Sequence, residues 1–351
     1  MRIAQVAPLH ESVPPKYYGG TERVVSYLTE ELVRQGHDVT LFASGDSETR
    51  ARLIPITHRA LRLDRYCTDP LAHHVLLLEK VMQRWSEFDI VHFHVDYLHF
   101  PLMRLLGLPH VTTLHGRLDV PDLEPLYKEF RDMPVVSISE DQRAPLPFAR
   151  WQATVYNGVP EALYHFRPEP GEYLAFLGRI SPEKRVDRAI EIARRVGLPL
   201  RIAAKVDKVD QEYFDERIRP LLDDPLVEYV GEIGEAEKSA FLGGARALVF
   251  PIDWPEPFGL VMIEAMACGT PVIAYRRGSV PEVIRDGETG FIVDGLEDAV
   301  AAVARLGEID RGRCRREFEQ RFSARRMAGD YLAVYRTLAE SAAPSPLPKA
   351  V

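Results

Sequence analysis

The sequence is poor in cysteine and has no excess of positive charge. Its three cysteines among 351 residues lie far apart and form no CxxC pair, so neither a disulfide framework nor a cysteine-rich metal site is expected, and a reducing compartment is indicated. Lysine and arginine number 44 against 52 aspartates and glutamates, a net charge of −8, whereas nucleic-acid-binding domains usually carry a basic patch. No stretch approaches the ~20 apolar residues of a membrane-spanning helix. We therefore expect no nucleic-acid partner and no membrane span.

Several catalytic motifs are missing as well. No G-x-G-x-x-G follows a predicted strand, and the chain has no P-loop, no G-x-S-x-G elbow and no Asp-x-Asp pair. These absences argue against a dinucleotide fingerprint, a P-loop NTPase and a Mg²⁺-dependent phosphate site with two carboxylates. The amino terminus leads straight into a short apolar strand without a signal-peptide core, which together with the cysteine usage predicts a cytoplasmic protein.

What the chain does have is a regular alternation of apolar strands and amphipathic helices. Its apolar content of 46% and charged content of 27% are those of a globular protein, and its length favours two domains at about 150 residues each. Thr21–Arg34 is predicted to be a helix capped by Thr21, and Pro70–Trp85 a second, less regular one. The predicted buried strands of this half are Ile3–Ala7, Val39–Phe42, Ile90–Phe93, Val111–Leu114 and Val135–Ile138. This order predicts a doubly wound α/β sheet.

A second α/β unit follows a break at residues 159–171, which contain three prolines and no periodic pattern and are therefore predicted to be an interdomain linker. The next predicted strands are Leu174–Leu177, Leu200–Ala204, Val227–Val230, Ala247–Phe250, Val272–Ala274 and Phe291–Val293. Helices are expected to begin near Pro182, Asp210, Gly234, Phe258 and Leu296. Two closing helices, Arg311–Phe322 and Ser323–Glu340, precede a tail at Ser341–Val351 that is expected to be flexible. The predicted domains are residues 1–160 and 172–322.

The most informative segment follows the strand that ends at Phe250. A proline-rich loop presents Glu256, and a helix then begins near Phe258 and carries Glu264 about two turns from its start. A helix N-terminus at the carboxyl edge of a parallel sheet binds anions. The two glutamates are too far apart for a close acid/base pair, but they could hold two ends of an extended polar ligand, Glu264 on ribose hydroxyls and Glu256 on a second ring. Either glutamate alone is more often a solvated surface residue.

Two cations flank the start of the helix that follows Leu174–Leu177. Arg179 comes at the strand end, Ser181 is expected to cap the helix, and Lys184 lies in the next turn. Arginine offers a planar fork and lysine a point charge, so the pair can converge on one diphosphate and do the electrostatic work of a metal ion. Taken separately, each is more often a surface cation.

Two weaker signals lie in the first half. Gly19 and Gly20 separate a strand from a helix, where they would let backbone N–H groups approach a ligand closely, although glycine pairs mostly form ordinary turns. His115 ends a buried strand and is followed by a glycine. That end of a strand lines the ligand crevice of an α/β sheet, and the alternative is a core histidine bonded to backbone.

The histidines before His115 raise the question of a metal. His92, His94 and His99 lie close to Asp96 in the sequence, and alternation along a strand puts His92 and His94 on one face. No ligand-spacing pattern supports a metal centre, so none is expected.

Taken together, these motifs resemble the retaining glycosyltransferases of family 4, which have the GT-B fold. The motifs are E-P-F-G-L-V-M-I-E from Glu256 to Glu264, G-R-I-S-P-E-K from Gly178 to Lys184, Y-N-G-V around Asn157, Gly19-Gly20, and T-L-H-G around His115. The resemblance implies two Rossmann-like domains facing across a cleft, with the acceptor in the first and a nucleoside-diphosphate sugar, UDP- or GDP-linked, in the second. It also implies that the last helix returns to the first domain.

The resemblance assigns a role to each motif. Arg179 and Lys184 would bind the donor diphosphate, as would the backbone at Phe258, Gly259 and Leu260 and the glycines Gly19 and Gly20. Glu264 would bind the ribose and Glu256 the transferred sugar, with His115 beside the reacting sugar as a positioning residue. The acceptor would be a carbohydrate, a lipid-linked molecule or a small molecule. The resemblance implies no metal and no cofactor. Retention in this family is attributed to front-face attack, in which a leaving phosphate oxygen takes the acceptor proton, so that no general base is required.

The chain departs from the family pattern in two places. Lys184 is followed by Arg185 where a glycine is usual, and Ala203-Ala204-Lys205 replaces a glycine-rich turn. Lys205 in the second departure could reach the nucleotide or lie on the surface. Asn157 of the Y-N-G-V motif is a further candidate contact to the nucleotide or substrate.

Alternatives to a transferase are a sugar-nucleotide epimerase or a glycan phosphorylase of the same fold, and a non-catalytic protein that binds a nucleotide sugar or glycan.

A locally basic stretch at residues 50–65 could also meet the inner face of the membrane, although a solvated surface segment is favoured for an acidic chain.

Overall fold

The computed structural model describes residues 1–17 and 19–341. Contacts divide the chain into two compact units. Unit 1 contains Met1–Gly158 and the chain from Ala324 onward, and unit 2 contains Val159–Ser323. Within the described residues, none of the helices combines the length and the apolar character that a bilayer span requires.

Unit 1 is built on a seven-stranded parallel sheet in the order β3-β2-β1-β4-β5-β6-β7. The chain leaves β1 outward in one direction through β2 and β3, and then returns to β4 on the other side of β1. The carboxyl ends of β1 and β4 therefore form a topological switch point, which is where open α/β sheets bind ligands. Its strands are β1 (Arg2–Val6), β2 (Asp38–Ala43), β3 (Arg52–Pro55), β4 (Ile90–Phe93), β5 (His110–Thr113), β6 (Pro134–Ser137) and β7 (Arg150–Thr154), and its helices α1 (Gly20–Arg34), α2 (Pro70–Met82), α3 (Phe100–Leu106) and α4 (Leu123–Glu129).

Unit 2 repeats the design with six parallel strands in the order β10-β9-β8-β11-β12-β13. Here the switch point lies between β8 and β11. The strands are β8 (Tyr173–Ile180), β9 (Leu200–Val206), β10 (Val227–Gly231), β11 (Ala245–Phe250), β12 (Val272–Tyr275) and β13 (Gly290–Val293). The helices are α5 (Val186–Val196), α6 (Gln211–Tyr213), α7 (Glu235–Gly243), α8 (Leu260–Ala267), α9 (Val280–Val283), α10 (Leu296–Ala304) and α11 (Arg311–Arg321). The two sheets confirm the predicted doubly wound α/β architecture.

The last helix, α12 (Ala324–Ser341), belongs to unit 1. It packs against α1, β4 and β5 through a stripe that includes Met327, Tyr331 and Tyr335, which recur every four residues and are fully buried. Buried tyrosine hydroxyls need hydrogen-bond partners. Tyr335 bonds Gln5 of β1 and His92 of β4, and Tyr331 bonds Thr113 of β5.

Two strands were not predicted, β3 and β7. The central strands are apolar and buried. Every residue of β7 and of β3, by contrast, is at least partly exposed to solvent. Edge strands of this kind lack the continuous apolar run by which buried parallel strands are recognised. The basic stretch at residues 50–65 contains β3 and a short 3₁₀ turn, and three of its arginines are paired with acids, Arg50 with Glu30, Arg52 with Glu87 and Arg62 with Glu11.

Two predicted helix caps were wrong. The first helix begins at Gly20, because the N–H of Arg23 donates to the carbonyl of Gly19, so that Thr21 lies inside it. The fifth helix begins at Val186 rather than near Pro182, because Arg185 has a left-handed backbone with φ +54°. Ser181 therefore belongs to a separate turn and caps nothing.

The segment at residues 159–171 is a packed part of unit 2 rather than the free linker that its prolines predicted. The Tyr164 side chain is buried, and its hydroxyl donates to Glu235 at 2.8 Å. The N–H of Arg167 donates to the carbonyl of Cys268 at 3.0 Å. Of the predicted tail, Ser341 ends α12, and residues 342–351 lie outside the described part of the chain.

Candidate functional site

Arg179 lies near the carboxyl end of β8, opposite Lys205 on β9. Its guanidinium bonds Glu183 and lies 3.4 Å from Asp210 and 3.6 Å from Asp207. Lys205 in turn pairs with Asp207 at 2.9 Å. Arg179 keeps 28% of its side chain exposed, so an anion can reach it, but that anion must compete with the carboxylates that hold the guanidinium.

Lys184 and Glu256 form an ion pair although they are 72 positions apart. Their side chains are only 14% and 12% exposed. Trp254 donates its indole N–H to the same Glu256 oxygen at 2.9 Å, and the lysine ammonium lies 5.1 Å from the centre of the Trp254 ring, within cation–π range. The pair forms because β8 and β11 are neighbours in the sheet, so the loops that follow them meet at the switch point.

The loop between β11 and α8 is fixed by close backbone packing. Gly259 has φ +77°, and a Cβ there would lie 2.9 Å from Met262 Cε. The carbonyl of Phe258 accepts from the Ser279 hydroxyl at 2.8 Å, and the carbonyl of Glu256 accepts from the Ser279 N–H at 3.0 Å. Leu260 is the first residue of α8. The loop is therefore tied to Ser279 by two hydrogen bonds at the point where the sequence predicted an anion site.

Glu264 lies inside unit 2 with only 3% of its side chain exposed. It is therefore not the solvated surface residue that a single glutamate usually is. Its carboxylate pairs with Lys238 of α7 at 2.9 Å, and Lys238 also lies 3.5 Å from Glu235. Sequence reasoning missed Lys238, because nothing in the sequence indicates that α7 packs against α8. Burying a carboxylate without such a partner is costly.

In unit 1, Gly19 and Gly20 precede and begin α1, and Tyr18 lies outside the described residues. A Cβ on Gly19 would come within 2.8 Å of Pro15 Cβ, whereas one on Gly20 would meet no atom within 4 Å. Glycine is thus required by local packing only at Gly19. The predicted phosphate contact of this pair remains a prediction.

His115 follows β5 and contacts His94, which follows β4. Its Nε2 lies 2.8 Å from His94 Nδ1, and burial lowers the pKa of His115 to about 4. Gln142 holds the loop around it, because its side-chain amide donates to the carbonyls of Leu114 and Gly116 at 2.9 and 2.8 Å. Sequence reasoning missed Gln142, which lies 27 positions further along the chain.

The histidines in and after β4 form hydrogen bonds within unit 1 through their ring nitrogens. His92 and His94 each use both ring nitrogens in hydrogen bonds, and His99 points elsewhere, stacked on Phe93 with its centroid 3.7 Å away. In residues 1–17 and 19–341 no group of three or more histidine, cysteine or acidic side chains could hold a metal ion.

Asn157 is buried in unit 1, and its side-chain oxygen has no hydrogen-bond partner among the described residues. Its carbonyl accepts from Arg326 at 3.2 Å. The contact of Asn157 to nucleotide or substrate stays a prediction.

The buried histidines predict how stability depends on pH. Burial lowers the pKa of both His110 and His115 from 6.5 to about 4, so between these values the unfolded chain binds more protons than the native one. Stability is then complete above about pH 6.5 and falls as the pH is lowered toward about 4. We expect the melting temperature to drop steadily across this window in a thermal-unfolding series. The variant His110→Gln is expected to flatten the drop and the exposed-site variant His58→Gln to leave it unchanged; an equal slope in all three proteins would contradict the assignment.

Comparison with known proteins shows which family this chain matches. Residues 18–176 match the family model described as Glycosyltransferase Family 4, and residues 165–324 match that described as Glycosyl transferases group 1. The two matches meet near the boundary between unit 1 and unit 2 and together span most of the chain.

Individual relatives extend over nearly the full length. The chain is 25% identical to the N-acetyl-alpha-D-glucosaminyl L-malate synthase of Bacillus anthracis, over 90% of this chain and 93% of that protein. It is 25% identical to the phosphatidyl-myo-inositol mannosyltransferase of Mycobacterium leprae, over 97% and 98%. The structure of a sucrose-phosphate synthase from Thermosynechococcus elongatus superposes with a TM-score of 0.81 at 18% identity, over 97% of this chain and all of that one. The chain therefore belongs to the family 4-type glycosyltransferases and is an enzyme with the GT-B fold.

Proposed function

We propose that this enzyme transfers a sugar from a UDP- or GDP-linked donor to a hydroxyl acceptor, with retention of anomeric configuration and without a metal ion. The acceptor belongs to a carbohydrate, a lipid-linked molecule or a small molecule. The observation that carries the proposal is the switch point of unit 2. Arg179 lies near the end of β8, and the Lys184–Glu256 pair and the start of α8 lie in the segments that follow the neighbouring strands β8 and β11.

The charges at this switch point suit a nucleoside diphosphate as the leaving group. Glycosyl transfer passes through an oxocarbenium-like state, in which negative charge develops on the departing phosphate. Arg179 and Lys184 supply two cations, and the N-terminus of α8 adds backbone donors and the positive end of a helix dipole. These groups supply the electrostatic stabilisation that a divalent cation provides elsewhere, which supports metal independence.

The two glutamates suit the two ends of the donor. Glu264 lies in the second turn of α8 beside Lys238, and its carboxylate oxygens can accept from vicinal ribose hydroxyls. Glu256 lies beside Lys184, so a sugar bonded to Glu256 would be adjacent to a phosphate bonded to Lys184. Retention then follows if the acceptor hydroxyl attacks from the face that the phosphate leaves, with the phosphate oxygen taking its proton. That route needs no enzymic general base.

The donor can be identified by thermal shift. A ligand present at 100 times its Kd stabilises the folded protein by about 2.7 kcal/mol, so UDP- and GDP-sugars should be screened along with an ADP-sugar as comparison. We expect one of the first two nucleotides to raise the melting temperature in the presence of EDTA. No shift with any nucleotide sugar would contradict the proposed donor class, and a shift that requires Mg²⁺ would contradict metal independence.

The reaction itself requires a product assay with the donor that binds. Incubation with labelled donor and a panel of acceptors is expected to give a glycoside whose anomeric configuration, read by NMR, matches that of the donor. An inverted product would overturn retention. Conversion of the donor sugar without an acceptor would indicate an epimerase, and binding without turnover would indicate a non-catalytic protein.

A further inference from the structure

A continuous row of hydrogen-bonded side chains crosses the interior of unit 1 and ends at His115. It joins three strands of the sheet to α12, and its members come from sequence positions as far apart as Gln5 and Tyr335. All of its members except His115 are fully buried or nearly so. In order, the contacts are His115 Nε2 to His94 Nδ1 at 2.8 Å, His94 Nε2 to Gln5 Oε1 at 2.8 Å, Gln5 Nε2 to Tyr335 Oη at 3.0 Å, Tyr335 Oη to His92 Nδ1 at 2.7 Å, His92 Nε2 to Thr113 Oγ1 at 2.7 Å, and Thr113 Oγ1 to Tyr331 Oη at 2.9 Å.

The amide of Gln5 gives this row a direction. In the structure its oxygen faces His94 Nε2, and because an amide oxygen only accepts, this orientation has His94 carry its proton on Nε2 and donate it to Gln5. Its nitrogen can only donate, so the Tyr335 hydroxyl accepts from Gln5 and gives its own proton to His92 Nδ1. His92 then donates from Nε2 to Thr113. Every hydrogen bond is thereby satisfied in one consistent sense.

The direction of the hydrogen bonds also determines which ring nitrogen of His115 carries the proton. A neutral His94 with its proton on Nε2 has a bare Nδ1, which can only accept. The proton between the two rings must therefore come from Nε2 of His115. Burial holds the pKa of His94 well below its usual range and that of His115 at about 4, so both rings are neutral near pH 7. His115 Nδ1 is then left as a lone pair with no partner among the described residues.

We propose that Gln5, His94 and Tyr335 are positioning residues that lock His115 in the Nε2–H tautomer, so that its Nδ1 accepts a hydrogen bond from a hydroxyl of the bound substrate. The tautomer rests on the geometry of unit 1 alone, and only its use toward a sugar hydroxyl rests on the proposed function. The opposite tautomer would place an N–H at the same position and leave a substrate hydroxyl to act as acceptor instead. A row anchored on α12 and three strands makes that choice before substrate arrives.

The tautomer can be read directly by ¹⁵N NMR of histidine-labelled protein near pH 7, with the His115 signals assigned from the His115→Ala spectrum. We expect a protonated Nε2 and an unprotonated Nδ1 for His115 and for His94. A His115 ring protonated on Nδ1, or an equal mixture of the two tautomers, would overturn the proposal.

Variants of His94 test whether this residue determines the tautomer of His115. His94→Phe removes the acceptor of the His115 proton and is expected to mix the tautomers of His115. His94→Asn places an amide oxygen close to the former Nδ1 and is expected to restore the Nε2–H form. The matched control is His99→Phe, because His99 is a buried histidine beside the same sheet that bonds Thr112 and lies outside the row; it is expected to leave the His115 signals unchanged.

Turnover then tests the use of the tautomer. We expect kcat to fall about tenfold in His94→Phe, the effect of losing one net hydrogen bond, to recover most of its value in His94→Asn, and to stay unchanged in His99→Phe. Donor affinity by thermal shift is expected to be the same in all three. Mixed tautomers with an unchanged kcat would overturn the positioning role. Absence of transfer in the wild-type protein would refute the proposed function, while the NMR result would still decide the tautomer.

Discussion

Replacing Arg179 by alanine is expected to lower kcat about 10²–10³-fold, the effect of removing one preorganised donor from a site where charge develops. Glu183, Asp207 and Asp210 hold the guanidinium near the end of β8. Its position therefore changes little when the diphosphate departs, and the free energy of reorganisation is small. Alanine also leaves these three carboxylates without their shared cation, which adds repulsion toward a phosphate. Steady-state kinetics with the donor identified by thermal shift is the measurement.

Two further variants separate the catalytic effect from a structural one. Arg179→Lys keeps the positive charge but loses the fork, so an intermediate kcat is expected. Arg194→Ala removes an arginine of the same unit that pairs with Asp224 on the surface and is expected to leave kcat unchanged. Full activity in Arg179→Ala would remove this residue from the donor site.

Replacing Glu256 by glutamine is expected to lower kcat/KM about 10- to 100-fold, because a hydrogen bond to a charged group contributes about 1.5–3 kcal/mol. Glutamine keeps the shape of the side chain but removes the negative charge that pairs with Lys184. The Trp254 indole N–H donates to the same carboxylate oxygen. The unpaired ammonium also destabilises unit 2, by less than the ~3–5 kcal/mol of a fully buried pair, since both side chains stay partly exposed.

The stability loss must be kept apart from the loss of activity. Kinetics should therefore be measured well below the melting temperature of the variant. The control is Glu288→Gln, an exposed glutamate of the same unit that pairs with Arg313, which is expected to change neither quantity measurably. A Glu256→Gln enzyme with wild-type kcat/KM and a lowered melting temperature would assign Glu256 to structure alone.

Much of the fold could be read from the sequence because buried parallel strands are continuous apolar runs. β4 was predicted with its exact bounds, and the other central strands lie within a few residues of the prediction. The edge strands β3 and β7 were missed because partly exposed strands lack this pattern. The helix starts at Gly20 and Val186 were misplaced because local capping preferences gave way to the backbone at Gly19 and the left-handed Arg185.

The candidate site was predicted as a set of residues, not as a set of contacts. Arg179, Lys184 and His115 were found from their positions near a strand end or a predicted helix start, and Glu256 and Glu264 from the loop and helix that follow the strand ending at Phe250. Their partners were not. Lys238 pairs with Glu264, and Gln142 holds the loop of His115, and neither pairing leaves a signal in a single sequence.

The sequence by itself determined the architecture, the family and the identity of the charged residues at the carboxyl ends of the strands, because these depend on local periodicity and on short motifs. Only the tertiary structure decided which charges meet. Lys184 reaches Glu256 because β8 and β11 are adjacent in the sheet. Tyr335 bonds Gln5 and His92 because α12 packs on the sheet of unit 1. Parallel strands are joined through long connections, so neighbours in the sheet are distant along the chain, and their contacts exist only after folding.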